Sequence, residues 1–257
     1  MSINKFYKLL DLMKTKYYMK FKQKSFKGKK YTINYLLDKN KSSDILLVVF
    51  TSCTKKGQKA RYNYIRTLEN FKVNKLFILD DFGFDGRGAY YLGKDKDFKI
   101  QLDVSSLIDS VSNDLNIKKE VFIGSSKGGY AALYFGLNRT NSIIISGAPQ
   151  YRLGNYLSLP GHEEILQYIM GDTKEYSIDY LNKLLEDKLN STCNNKNKIY
   201  LHYSTEEETF EPEIEPLINK IKELNLDHSF DIHNYKNHSD LTLFFPQYIK
   251  DVLSKYL

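Results

Sequence analysis

The sequence predicts an α/β protein with a mostly parallel central sheet and helices on both faces. Three observations predict it. Short apolar runs of strand length alternate along the chain with segments whose apolar residues fall at helical spacing, the pattern of successive βα units. Several runs, Ile45-Leu46-Leu47-Val48-Val49-Phe50 above all, are apolar at every position, as strands covered on both faces are. Val121-Phe122-Ile123-Gly124-Ser125-Ser126-Lys127-Gly128-Gly129-Tyr130 sets a Gly-x-Ser-x-Gly turn between one such run and an apolar helical segment ending near Leu137.

In order, Tyr31 to Leu37 alternates and reads as an early, half-exposed strand; Lys39 to Asp44 is a polar turn. Ile45 to Phe50 is a buried strand, 59–70 a helix, and Lys75 to Asp80 the next strand. Asp81 to Gly93 is a loop of glycines and aromatics; it lacks the spacing of a dinucleotide fingerprint. Val104, Leu107, Ile108 and Val111 give 103–116 helical spacing. Ser142 to Ser146 is a buried strand running into Gly147-Ala148-Pro149-Gln150. Residues 151–195 hold helical pieces and no clear strand, and read as a helical cap inserted after the sixth strand. Lys198 to Tyr203 is a strand, Glu213 to Leu224 a helix, Ser229 to Tyr235 the last strand, and Thr242 to Leu257 an amphipathic closing helix.

The 257 residues suffice for one sizeable core, so 31–257 is expected to form a single domain. No apolar run approaches the roughly 18 residues of a membrane span. The start shows no signal-peptide pattern and the two cysteines, Cys53 and Cys193, make no disulfide framework, so a reducing cytoplasm is expected. Net charge is +7 but unevenly placed: residues 1–30 hold ten Lys against one Asp, +9, leaving the rest near −2. This basic arm, interleaved with Phe6, Tyr7, Tyr17, Tyr18, Phe21 and Phe26, suits an anionic membrane surface or an acidic polymer; a solvated flank packing its aromatics on the core is the plainer alternative. No recognition module surrounds these lysines, so nucleic acid is not an expected partner.

The Gly-x-Ser-x-Gly turn carries the chemistry. Glycines flank Ser126 because a Cβ at 124 or 128 would collide as strand and helix close, and the turn lifts the Ser126 hydroxyl above the sheet edge. The helix after it points its positive end at the reacting centre, with the backbone N–H of Lys127 as one oxyanion donor. The loop after Phe50 supplies the second, from the N–H of Ser52 or Cys53. Cys53 itself reads as a small buried thiol rather than a nucleophile. A serine needs a base, and the base an orienting acid. Of five histidines, His238 alone follows the last strand and precedes the last helix, at the sheet edge where Ser126 also lies; His162 falls in the insertion, and His202, His228 and His233 in or beside strands. The acid is expected after the strand ending at Tyr203, where Glu206, Glu207 and Glu208 stand together; spacing favours Glu207, then Glu208. Asp231 is mid-strand, and Asp240 reads as a cap of the last helix. Arg61 and Arg87 border the expected mouth and suit an anionic substrate group or surface ion pairs. No Cys/His cluster has metal-ligand spacing, so neither metal nor other cofactor is expected.

These residues resemble the α/β-hydrolase superfamily over about 45–250: Gly124-Ser125-Ser126-Lys127-Gly128-Gly129, the late His238, and the Asp81-x-Gly-x-Asp-Gly-x-Gly loop. Asp81-Phe82-Gly83, Tyr90-Tyr91-Leu92-Gly93, Gly147-Ala148-Pro149-Gln150 and Tyr203-Ser204 further resemble two bacterial groups: the hydrolase-like domain of accessory Sec proteins, associated with glycan O-acetylation, and a capsular polysaccharide biosynthesis family. The resemblance implies a Ser-Glu-His triad of Ser126, one of Glu206 to Glu208, and His238. It also implies an esterase, O-acetyltransferase or deacetylase that takes an acyl ester or other acyl donor and a cell-surface or capsular glycan. The sequence is much shorter than the accessory Sec proteins, so it is expected to lack their additional domains. A non-catalytic scaffold in a polysaccharide-assembly or secretion complex is the alternative, with the arm docking it peripherally at the inner face of the membrane.

Overall fold

The computed structural model describes residues 3–192 and 196–257, with side chains from residue 12 onward; Cys193 lies outside the described residues. The chain runs α1 (Ile3–Phe21), β1 (Lys24–Lys27), β2 (Thr32–Asp38), β3 (Ile45–Phe50), α2 (Ile65–Leu68), β4 (Asn74–Ile78), α3 (Lys99–Asp114), β5 (Lys119–Ser125), α4 (Lys127–Gly136) and β6 (Ile143–Gly147). It continues through α5 (Leu153–Leu157), α6 (Glu163–Met170), α7 (Glu175–Ser191), β7 (Lys198–Ser204), a π-helical turn (Phe210–Ile214), α8 (Glu215–Glu223), β8 (Asp227–His233), a 3-10 turn (His238–Asp240) and α9 (Leu241–Leu253).

The strands form one eight-stranded sheet in the order β1-β2-β4-β3-β5-β6-β7-β8. From β4 to β8 all neighbours are parallel; β1 with β2 and β2 with β4 are antiparallel. Continuous apolarity in β3, β5 and β6 follows from cover on both faces. α4 lies over Phe122 and Ile144 on one side; on the other, Phe245 of α9 packs on Gly147, where a Cβ would come within 2.8 Å of its ring. α4 is buried on every side, which is why it is apolar nearly all round. The chain leaves β3 for one neighbour, β4, and returns to the other, β5. The carboxyl ends of β3 and β5 thus flank the switch point where α/β sheets place ligands.

One expectation is corrected. The helix expected over 59–70 is only α2. Ala60 N–H is drawn to Gly86 O, the Asn63 side chain is used by Ser52, and Tyr64 sits at φ 62°, so 59–64 is a loop gathered against the sheet edge. The basic segment contributes a strand: β1 extends the sheet, and Asp103 of α3 accepts the N–H groups of Lys29, Lys30 and Tyr31 at 2.7, 3.1 and 2.7 Å. The 151–195 insertion is the helical layer α5 to α7 where it is described. Among the described residues no helix is long and apolar enough to cross a membrane.

Candidate active site

Ser126 occupies the turn from β5 into α4 at φ 52°, ψ −123°, a sparsely populated conformation for a residue with a Cβ. The surroundings enforce it. Ser126 N–H donates to Gly147 O at 2.8 Å, and Ser126 O accepts from Tyr130 N–H at 2.9 Å. A Cβ on Gly124 would lie 2.1 Å from Gly128 O, and one on Gly128 would lie 2.8 Å from Phe50 O. The turn is therefore closed by backbone on three sides, and the serine is left half-buried at the end of the helix. Its Oγ accepts from Gln150 Nε2 at 3.3 Å, and Gln150 Oε1 in turn accepts from the Tyr90 hydroxyl at 3.2 Å. Gln150, fully buried, joins the site by tertiary contact; nothing in the residues around it had marked that role.

The end of β3 meets the elbow directly. Ser52 Oγ lies 3.0 Å from Ser125 O and 2.9 Å from Ser125 Oγ, while Ser52 N–H donates to Asn63 Oδ1 at 2.9 Å. The Ser52 N–H, one of the two oxyanion candidates in that loop, is thus engaged by Asn63. Burial pushes the Cys53 thiol pKa up, which disfavours the reactive thiolate. Lys127 opens α4, where helical N–H groups have no intrahelical acceptor. Its side chain has a second part not legible in the sequence. The ammonium, fully buried, pairs with Asp80 at 2.7 Å and sits 5.2 Å from the Tyr91 ring centroid. Asp80 also accepts from the N–H groups of Ala89 and Tyr91. One carboxylate at the end of β4 thereby ties the 81–93 loop to the residue beside Ser126.

Of the three adjacent glutamates, Glu206 and Glu208 are exposed and Glu207 is 4% exposed. Glu207 Oε1 accepts from Thr209 Oγ1, and its Oε2 lies 3.4 Å from His238 Nδ1, close enough for charge pairing but not aligned as a hydrogen bond. His238 Nε2 is buried with no partner. Ser126 and His238 make no hydrogen bond with each other: the serine hydroxyl is engaged by Gln150 instead. The remaining acids are used elsewhere. Asp231 holds His202 Nδ1 at 2.6 Å and lies 3.4 Å from His233 Nε2, and Asp240 accepts from Asn237 at 3.2 Å.

Arg87 is not the surface side chain that one sequence alternative pictured. It is 4% exposed, its Nε is bound by Asp85, and its Nη2 is buried without a partner. Arg61 is exposed and lines a cavity beside Cys53. The His162 ring packs at a tilt on Tyr156 with centroids 4.6 Å apart, and His228 Nδ1 lies 2.8 Å from Leu226 O. The one grouping among the described residues with ligand atoms close enough for a metal is His202, Asp231 and His233, within 4.8 Å of one another. Linear spacing hid it, because its members meet across β7 and β8. The His202–Asp231 contact is already satisfied as a hydrogen bond.

No family model matches the chain, and no curated protein matches it in sequence. Solved structures do. A capsule O-acetyltransferase of Neisseria meningitidis serogroup A, a histidine variant in complex with CoA, is 23% identical over 90% of this chain and 94% of its own, with a TM-score of 0.75. The glycosylation-associated protein complex of Streptococcus agalactiae is 16% identical over 92% of this chain and 47% of its own, with a TM-score of 0.73. A fluorophosphonate-binding serine hydrolase of Staphylococcus aureus is 12% identical over 90% of this chain and 96% of its own, with a TM-score of 0.63. At these identities the likeness is one of fold, and the sheet order, the strained serine turn and these neighbours agree that the chain has the α/β-hydrolase fold.

Proposed function

We propose that the chain is a serine-dependent acyl-transfer enzyme, moving an acyl group from a donor to water or to a hydroxyl of a cell-surface or capsular glycan. The observation that supports it best is the strained Ser126 at the end of β5, with buried Glu207 beside a half-buried His238, both from the carboxyl edge of the same sheet. In the reaction, Ser126 Oγ attacks the acyl carbonyl while His238 Nε2 takes its proton. The developing oxyanion is met by the N–H groups of Lys127 and Cys53. Glu207 stabilises the imidazolium and fixes the Nδ1–H tautomer. The leaving thiol or alcohol departs with the proton from His238, giving an acyl-serine. A sugar hydroxyl or water, deprotonated by His238, then attacks that ester and releases Ser126. Catalytic contacts in unliganded enzymes are often long and tighten on binding, so the present Ser126–Gln150 contact is read as the resting rotamer. An acyl-CoA is the proposed donor, by the likeness to the CoA-bound O-acetyltransferase. Arg87, with its buried unpartnered nitrogen, is proposed to meet an anionic group of the substrate.

The arm supports a cytoplasmic enzyme resting on an anionic membrane surface. Met13, Tyr17 and Phe21 are exposed at successive four-residue steps of α1, whereas Thr15 is buried on its other side. An exposed apolar stripe among lysines is the pattern of an interfacial helix.

The test is fluorophosphonate labelling and acyl-ester turnover. Ser126→Ala should abolish both, and His238→Ala should lower turnover by about 10³-fold or more. Glu207→Gln should cost turnover heavily, while Glu206→Gln and Glu208→Gln cost little. A well-folded wild type that neither labels nor turns over esters would instead make the chain a scaffold.

A further inference from the structure

We propose that the cavity beside the oxyanion loop is the seat of the phosphate-bearing end of the acyl donor, with Arg61 as its principal anchor; this rests on the acyl-transfer reading above. The cavity holds about 450 Å³, within the size range of small-molecule sites. Its walls come from four separate parts of the chain: the loop after β3 with Cys53, the 61–67 segment with Arg61 and Arg66, the first turn of α9 with Thr242, and Thr15 of α1.

Three features fix the ligand class. The exposed Arg61 guanidinium lines the space, and none of the described lining residues is acidic, so the cavity favours an anion. Arginine presents a planar fork of donors that matches phosphate oxygens two at a time. Thr15 and Thr67, which carry hydroxyl donors, line the same space. Position supplies the rest. Cys53, whose N–H is the second oxyanion donor, is part of the wall, and Ser52 next to it contacts Ser125 of the elbow. A thioester carbonyl lying between the N–H groups of Lys127 and Cys53 would have its carrier arm run past Cys53 into the cavity. The charged remainder of the carrier would then reach Arg61.

The basic segment acquires a second role in this arrangement. α1 is one wall of the cavity, with Leu12 and Thr15 facing it while Met13, Tyr17 and Phe21 face outward. Loss of the arm would therefore weaken donor binding independently of any membrane contact.

The experiment compares two donors carrying the same thioester: acetyl-CoA, and S-acetylpantetheine, which lacks the nucleotide and its phosphates. Wild type should favour acetyl-CoA at low salt, and the preference should shrink as salt rises. Arg61→Gln should lower kcat/KM for acetyl-CoA at least tenfold more than for S-acetylpantetheine, through KM, with Arg61→Lys recovering part of the loss. Thr15→Glu, which puts a carboxylate at the cavity wall, should shift the preference the same way. Calorimetric binding of coenzyme A gives a readout that needs no turnover, and Arg61→Gln should weaken it at least tenfold. Equal effects on both donors, or unchanged coenzyme A binding in Arg61→Gln, would overturn the assignment. Such a result in a protein still labelled by fluorophosphonate at Ser126 would leave the acyl-enzyme reading standing, whereas a well-folded wild type that never labels would strike the acyl-transfer reading and this assignment with it.

Discussion

Lys127 and Asp80 are both 0% exposed and 2.7 Å apart, and neither can reach water without opening the elbow. Replacing Lys127 by Met keeps much of the side-chain volume but leaves the Asp80 carboxylate with only the Ala89 and Tyr91 N–H groups. Breaking a buried pair from one side costs about 3–5 kcal/mol, because an uncompensated charge stays in the core. That is a large share of a total stability of about 5–15 kcal/mol. At a urea m-value near 3 kcal/mol/M, the unfolding midpoint should fall by at least about 1 M. Asp80→Asn should cost a similar amount and also loosen the 81–93 loop. The double variant Asp80→Asn/Lys127→Met removes both charges, so it should be less destabilised than the two single losses added together. Urea unfolding followed by circular dichroism measures all three. Single variants within about 1 kcal/mol of wild type, or strictly additive losses, would refute the claim that this ion pair locks the loop to the elbow.

Gly124→Ala should fold poorly or not at all, since the added Cβ meets backbone at Gly128 O rather than a movable side chain; thermal unfolding checks it. Glu213 is 2% exposed, and burial raises its pKa from 4.5 to about 7 although its carboxylate accepts from the N–H groups of Tyr151 and Arg152. The folded state then binds this proton more tightly than the unfolded chain. Its contribution is full below about 4.5 and is lost as pH rises through about 7, roughly 3 kcal/mol in all. Glu213→Gln should flatten that part of the stability–pH curve, and an unchanged slope would remove the assignment. Replacing Met13, Tyr17 and Phe21 together by Ser should weaken sedimentation with anionic vesicles at low salt while sparing labelling of Ser126; equal vesicle binding would exclude the interfacial role of α1.

The fold was legible wherever the signal was local. Continuous apolarity marked β3, β5 and β6 because a strand covered on both faces needs apolar side chains at every position. Glycines around Ser126 marked the elbow because backbone closes on it. The failures share a cause. The 59–70 segment has helical periodicity, but Asn63 satisfies Ser52 N–H and Ala60 bonds to Gly86, contacts that outweigh a weak local preference. β1 was invisible because a short, lysine-rich edge strand has neither alternation nor apolarity. The triplet Glu206-Glu207-Glu208 offers three identical carboxylates, and only packing can bury one of them.

By itself, then, the sequence determined the class of sheet, the position of the strained serine and the lone histidine between the last strand and the last helix. These are properties of periodicity, steric size and chain order. Tertiary structure alone decided which glutamate is buried beside His238, that the Ser52 N–H after β3 is taken by Asn63, and that the Lys127 ammonium is spent on Asp80. Each of those is a choice among chemically equivalent groups. It is settled by which of them loses its water and finds a partner from a distant part of the chain.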